Sequence, residues 1–103
     1  MAGSAMRLEA KIRSIRLPRT LDFVAAPALF EMLMSARGRA VCIEGSQVER
    51  VDSQCLQILL SARSTWRSDG HDLEFRNPSL EFVAGLEFLG VRAKSLLGKE
   101  LSQ

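Results

Sequence analysis

The sequence predicts a single α/β domain in which helices pack against a mixed, mostly parallel β-sheet. Three observations lead there. Short apolar runs alternate with longer amphipathic stretches in the order strand, helix, strand, helix, strand, helix, and strands separated by helices join through crossovers that favour parallel pairing. Between Val48 and Arg67 a short strand ending at Asp52 turns directly into a long helix, whose Cys55, Ile58, Leu59, Ala62 and Trp66 recur on one face. The chain has 103 residues, enough for one core, and its 47% hydrophobic and 25% charged content suits a globular protein rather than a disordered one.

Taken in order, residues 1–6 are small and without periodicity, so they read as a disordered or vector-derived start, and the domain is expected over 7–91. Leu8, Ala10 and Ile12 alternate with Glu9, Lys11 and Arg13, but Ile15 and Leu17 fall on the other parity. A bulge or tight turn near Ser14 would absorb that slip. Pro18 ends the extended segment, and Asp22 is placed to cap a helix running to about Arg37, with Ala25, Leu29, Met32, Leu33 and Ala36 as its core stripe. Pro27 in the first turns calls for either a kink or a later start. Gly38 stops the helix, and the unbroken apolar run Ala40 to Ile43 predicts a central strand covered on both faces.

After a polar connection, Val48 and Val51 re-enter the core and the helix from Ser53 runs to the Asp69-Gly70 stop, with Gln57, Ser61, Ser64 and Arg67 on its wet face. His71 lies in a turn. Leu73 and Phe75 alternate with polar residues as a half-buried strand, and Asn77-Pro78-Ser79 makes a turn ending in a cap. A third helix buries Phe82, Val83, Leu86 and Leu89 and stops at Gly90. Residues 92–103 form a tail that either frays or holds a short helix through Leu96, Leu97 and Leu101.

Several function classes find little support. Net charge is only +2 and there is no Tyr to stack on bases, so the Arg7, Arg13, Arg16 and Arg19 group does not predict nucleic-acid binding. Cys42, Cys55 and a single His cannot supply a four-ligand metal set, and no cofactor is expected because phosphate-cradling glycine motifs are missing. No catalytic residue stands out: His71 has no spacing that ties it to Ser53, and Glu44, Glu49 and Asp52 read as solvated carboxylates around a loop. No apolar run approaches the ~20 residues that span a bilayer, which predicts no membrane insertion and a cytoplasmic protein with reduced thiols, Cys42 being a small buried hydrophobe.

The informative residue is Ser53. At a strand-to-helix corner its hydroxyl can cap the helix, and a phosphate attached there would meet the positive helix end.

The run Val51-Asp52-Ser53-Gln54-Cys55-Leu56, with LPRTLDF before the first helix and SDGHDLEFRNPS and FLGV downstream, resembles the STAS domain family of sulfate transporters and anti-sigma factor antagonists. The hallmark of that family is a strand, then Asp-Ser-x-Gly, then an apolar helix. The wording is closest to small STAS proteins of bacterial chemotaxis gene clusters. The resemblance implies a non-enzymatic signalling module that binds a histidine kinase or kinase-like anti-sigma factor, with Ser53 as the phosphorylated switch. Cys55 stands where the motif has glycine, which puts a side chain where a partner would approach. The docking surface expected from this is Val48, Glu49, Arg50, Asp52, Ser53, Gln54 and Gln57. An alternative within the same family is an MlaB-like structural subunit that braces the ATPase of a lipid-transport ABC system.

Overall fold

The computed structural model describes residues 12–98, so the 1–6 segment, the Leu8 and Ala10 alternation and Leu101 lie outside the described residues. The elements are β1 (Arg13–Arg16), β2 (Thr20–Leu21), α1 (Ala26–Ser35), β3 (Val41–Glu44), β4 (Arg50–Val51), α2 (Ser53–Asp69), β5 (Leu73–Arg76), α3 (Leu80–Phe88) and α4 (Ala93–Leu97). Strand β3 is central in a three-stranded sheet ordered β1-β3-β5, and β2 pairs with β4 beside it. Every strand pair among the described residues is parallel.

The register explains the apolar pattern. Ile15, Ile43 and Phe75 stand side by side across the sheet and all are buried, while the next row, Arg16, Glu44 and Arg76, carries charge on the other face. The bulge expected near Ser14 is not there: β1 pairs residue for residue with β3 through Ser14 and Cys42. Burial belongs to the parity of Ile15 and Leu17, and Ile12 is exposed in a bend just before the strand. A ladder fixed on a buried central strand leaves no freedom for a slip inside four residues.

Helix α1 starts later than an Asp22 cap would place it. The Asp22 carboxylate accepts the Val24 and Ala25 N–H groups at 3.1 Å each, which shapes a turn, and the helix begins at Ala26 with Pro27 in its first turn, where no N–H is needed. Ala26 rather than Ala25 therefore joins Leu29, Leu33 and Ala36 in the core, and Met32 is half-buried.

Helix α2 lies beside α1 and parallel to it, since like ends meet. At the N-terminal ends the Cys55 thiol donates to the Asp22 carbonyl at 3.2 Å. At the C-terminal ends Arg37 grips Asp69 with two bonds of 2.9 and 3.3 Å. Cys55, Leu59, Ala62 and Trp66 are buried as the spacing predicts, with Leu56 added and Ile58 half-buried against α1. The Trp66 indole N–H donates to the Arg39 carbonyl at 2.8 Å, so the ring is core with its polar edge satisfied. Gly70, at φ 77°, lets its own N–H and that of His71 fold back onto the Arg67 and Trp66 carbonyls and ends the helix.

On the other flank, the Ser79 hydroxyl accepts from the Phe82 N–H at 3.0 Å and donates to the Val48 carbonyl at 2.5 Å, which ties the start of α3 to the approach to β4. Gly85 brings the two closer still, because a Cβ there would stand 2.6 Å from Val51 Cγ1. The tail holds α4, whose Leu96 and Leu97 enter the core.

This placement predicts that Leu59→Ala lowers stability by about 2–5 kcal/mol, through lost burial and a cavity, whereas Gln57→Ala stays within about 0.5 kcal/mol. Urea melts with equal losses at both positions would overturn the assignment of the helix faces. A second expectation concerns pH. The Arg37 hydrogen bond, helped by the Arg37 and His71 charges, holds the Asp69 carboxyl below its ordinary range. Its stabilising effect is complete above the unfolded carboxylate's pKa and is lost as pH falls through the lower folded value. The gap in urea midpoint between wild type and Asp69→Asn should therefore be open at pH 7 and begin to narrow below about pH 4. A gap that keeps its full width down to about pH 2 would remove the ion pair as its cause.

Candidate functional site

The site is the corner where β4 becomes α2, and Asp52 shapes it. Its backbone is extended (φ −105°, ψ 175°), and its N–H makes a 2.9 Å bond to Leu21 next to the β2–β4 ladder. Its carboxylate accepts the Cys55 N–H at 3.4 Å and its carbonyl accepts from Leu56 at 3.1 Å. Asp52 is thus the helix cap, and Ser53 is the first helical residue with its side chain in solvent. This corrects the capping role expected of Ser53. The chain leaves the strand one residue earlier than a serine cap requires, and the carboxylate takes the bond.

The other expected docking residues divide. Glu49, Arg50, Gln54 and Gln57 are exposed with Ser53, and Asp52 is half-buried. Val48 is only 1% exposed and points inward, its carbonyl held by Ser79, so its side chain is no part of an outer surface. A hydrophobic residue flanked by polar ones at a corner is more useful to the core than to water.

Cys55 is fully buried, and its thiol is directed at the Asp22 carbonyl. Burial, reinforced by the Asp52 and Asp22 charges, pushes it up to about 11, so it stays protonated at neutral pH. The side chain that replaces the motif glycine therefore fills the seam between α1 and α2 and leaves the outer face of the corner open.

The three carboxylates around the loop have separate tasks. Glu44 is held below its ordinary range, chiefly by the Asn77 amide at 3.0 Å, and it also accepts the Ser46 N–H. Glu49 faces Arg19 at 3.7 Å, and Asp52 caps α2. No two of them share a proton site. His71 is exposed. At the far end of α2 a polar cleft of ≈ 430 Å³ includes Arg63, Arg67, His71 and Glu74, but the Arg63 guanidinium is already taken by the Leu73 and Leu96 carbonyls.

Sequence reasoning passed over a set of apolar residues next to the corner. Phe23 and Val24, in the turn before α1, are 69% and 72% exposed, and Phe30 on α1 is 51% exposed. Phe30, Leu33 and Met34 of α1 face Ile58 and Ala62 of α2 across a groove of ≈ 200 Å³. The signal was present: Phe30 and Met34 are four residues apart on a face that the core stripe of α1 does not use.

Capping by Asp52 makes a direct prediction. Asp52→Ala should cost about 1 kcal/mol of stability and Ser53→Ala less than about 0.5 kcal/mol in denaturant melts. The reverse order would return the cap to Ser53.

A search among curated proteins finds no match to this chain. The family model described as "Mlab, STAS domain" matches residues 4–98. STAS domains are in general non-enzymatic regulatory or structural modules that act through protein–protein contacts, which fits a corner with an exposed polar rim and an apolar flank. No helix among the described residues is long and apolar enough to cross a membrane. With the match running from before β1 to the end of α4, the whole described fold is accounted for, and the chain belongs to the STAS domain family.

Proposed function

We propose that this STAS domain is a regulatory protein-binding module of bacterial signalling, of the anti-sigma factor antagonist or chemotaxis accessory kind. It docks a histidine kinase or kinase-like protein through the Ser53 corner, and phosphorylation of Ser53 releases that partner. The observation that carries this reading is that Ser53 opens α2 as an exposed residue while Asp52 does the capping. A hydroxyl that the fold does not use can be modified without unfolding the domain.

The physics of the switch follows from charge. A phosphate adds about −1.5 to −2 units at a corner that already carries Glu49 and Asp52, with Asp22 close behind. The free N–H groups and dipole of α2 favour that anion by ~0.3–1 kcal/mol at an exposed site, so the fold tolerates it. A partner packed on the corner must instead desolvate the phosphate beside carboxylates, a cost of several kcal/mol. Glu49, Arg50, Gln54 and Gln57 supply the rest of the contact surface, while Val48, buried and with its carbonyl held by Ser79, supplies none.

Calorimetric titration of a purified kinase partner should give near wild-type affinity for Ser53→Ala and at least ~100-fold weaker affinity for Ser53→Asp, with both variants folded. Equal affinities, with no phosphate on Ser53 by mass spectrometry after incubation with kinase and ATP, would reject the switch. A second reading is favoured by the description of the matched family as MlaB-like. In it the same surface braces the ATPase of a lipid-transport ABC system and Ser53 stays unmodified. A pull-down that recovers an ABC ATPase rather than a histidine kinase would select this reading.

A further inference from the structure

We propose that α4 is a releasable cover over the free edge of β5, and that once α4 lets go this edge pairs antiparallel with the same edge of a second copy of the chain. The device lies away from the Ser53 corner and does not depend on what docks there.

The edge follows from the ladder. β5 is the last strand in the order β1-β3-β5, with β3 on one side and no strand on the other among the described residues. The Val41 N–H bonds to the Asp72 carbonyl and the Gly45 N–H to the Arg76 carbonyl, so the even-numbered peptide groups face β3. Successive carbonyls of a strand point to opposite edges, and those of Leu73 and Phe75 therefore face away from it. An open edge of this kind is a template for pairing with another chain. Here it is closed. Arg63 Nη1 donates to the Leu73 carbonyl at 2.9 Å, while Nε and Nη2 donate to the Leu96 carbonyl of α4 at 2.9 and 2.5 Å. One guanidinium thus ties the edge to α4, and Phe75 is only 1% exposed although it sits in an outermost strand.

The cover is lightly held. α4 has five residues, too few to persist as a helix alone, and no side chain caps its N-terminus. The Leu96 carbonyl belongs to its last turn, where helix carbonyls lack intrahelical partners, and Arg63 supplies the partner. Gly98 ends the helix at φ 84° and lies against the same guanidinium, since a Cβ there would stand 3.3 Å from Arg63 Nη2. The buried side chains of α4 are Leu96 and Leu97, and Leu97 and Gly98 border the ≈ 430 Å³ cleft together with Arg67, His71 and Asp72. Its end therefore meets a cleft where a tightly docked helix would meet close packing.

The charge pattern of the edge selects a second copy as the occupant. Glu74 and Arg76 are both exposed on the outer face of the sheet, 3.6 Å apart. In an antiparallel pairing centred on Phe75, the two Phe75 residues exchange backbone bonds, and Glu74 of each copy stands opposite Arg76 of the other. These are the non-hydrogen-bonded positions, where Cα atoms lie about 4.5 Å apart and side chains are closest. Opposite charges there are favourable, and moving the axis to either neighbouring residue sets Glu74 against Glu74 or Arg76 against Arg76, so the register is defined. The pairing is isologous: both charge pairs form together and the assembly closes as a dimer.

Hydrogen exchange and sedimentation of the full chain read the two halves of the proposal. Arg63→Met keeps the stem and removes the three bonds to Leu73 and Leu96. The Ser95 and Gly98 amides should then exchange at least ~10-fold faster than in wild type, while those of β3 stay protected and show that the domain is folded. The sedimenting mass should rise from that of one chain in wild type toward that of two. Adding Arg76→Glu, which sets like charges opposite each other, should return it to one chain. Adding Glu74→Arg as well restores opposite charges in reversed order and should bring the dimer back. Gly98→Ala, which strains the helix end and crowds the guanidinium without altering Arg63 or β5, should act in the same direction, and it decides the matter if Arg63→Met fails to fold. Unchanged protection of α4 in the folded variants would overturn the proposal. So would a mass that stays that of one chain after α4 is released, association indifferent to the charge reversals, or a wild-type dimer that Arg76→Glu dissociates.

Discussion

Asp52 ends one hydrogen-bond ladder and begins another, and the rest of the molecule takes its geometry from that junction. Its N–H bonds to Leu21 beside the β2–β4 pairing, its carboxylate receives the Cys55 N–H, and its carbonyl receives the first helical bond of α2. Each polar group of the residue is thereby used within a few ångströms of the point where chain direction changes, as a corner between buried elements requires. The direction of α2 then decides what can pack on either side of it. On one side it holds α1 in parallel, and on the other it carries Arg63 toward β5 and α4.

Arg63 gives that second side its polar character. Its guanidinium donates to the Leu96 carbonyl through two nitrogens, at 2.9 and 2.5 Å, and to the Leu73 carbonyl at 2.9 Å, and it lies 5.6 Å from the centre of the Phe75 ring. Burial, with Arg67 nearby, lowers its pKa, yet a guanidinium stays charged at any ordinary pH. A half-buried cation of this kind is tolerated because carbonyl dipoles and an aromatic face replace its water. The consequence is asymmetric. Three elements meet at Arg63 and leave a largely polar cleft there, whereas the α1 side of α2 keeps Phe30 and Met34 in contact with solvent.

Much of this was legible in the sequence because burial has a period. The stripe through Cys55, Leu59, Ala62 and Trp66, the central run at Val41 to Ile43 and the alternation at Leu73 and Phe75 each follow from one face meeting the core. What escaped were features that periodicity does not encode. Leu56 is buried because α2 is flanked on two sides, and Arg63 finds its partners 10 and 33 residues away. The pairing of Thr20 and Leu21 with Arg50 and Val51 is too short to print an alternation. Ser53 and Asp52 are both good capping residues, and which of them caps depends on where the strand lets go, a matter of one residue that tertiary pairing decides. The exposed Phe30 and Met34 were passed over for a related reason: a search for core faces discards an apolar pair that falls on the wrong side.

The substitution at the motif glycine finds its explanation in the same asymmetry. A side chain at position 55 could point toward a partner or into the seam between α1 and α2, and the helix start imposed by Asp52 turns it inward. There the thiol adds buried area and a bond to the Asp22 turn, which strengthens the end of the groove nearest Ser53. Because Asp52 caps and Cys55 packs, the fold does not depend on the Ser53 hydroxyl. The energies that hold the domain together and the energies that would govern a contact at its surface thus fall on adjacent but different residues. On the proposed docking at this corner, a change of charge at Ser53 would act on the partner directly, whereas a change at Asp52 would act first on the fold.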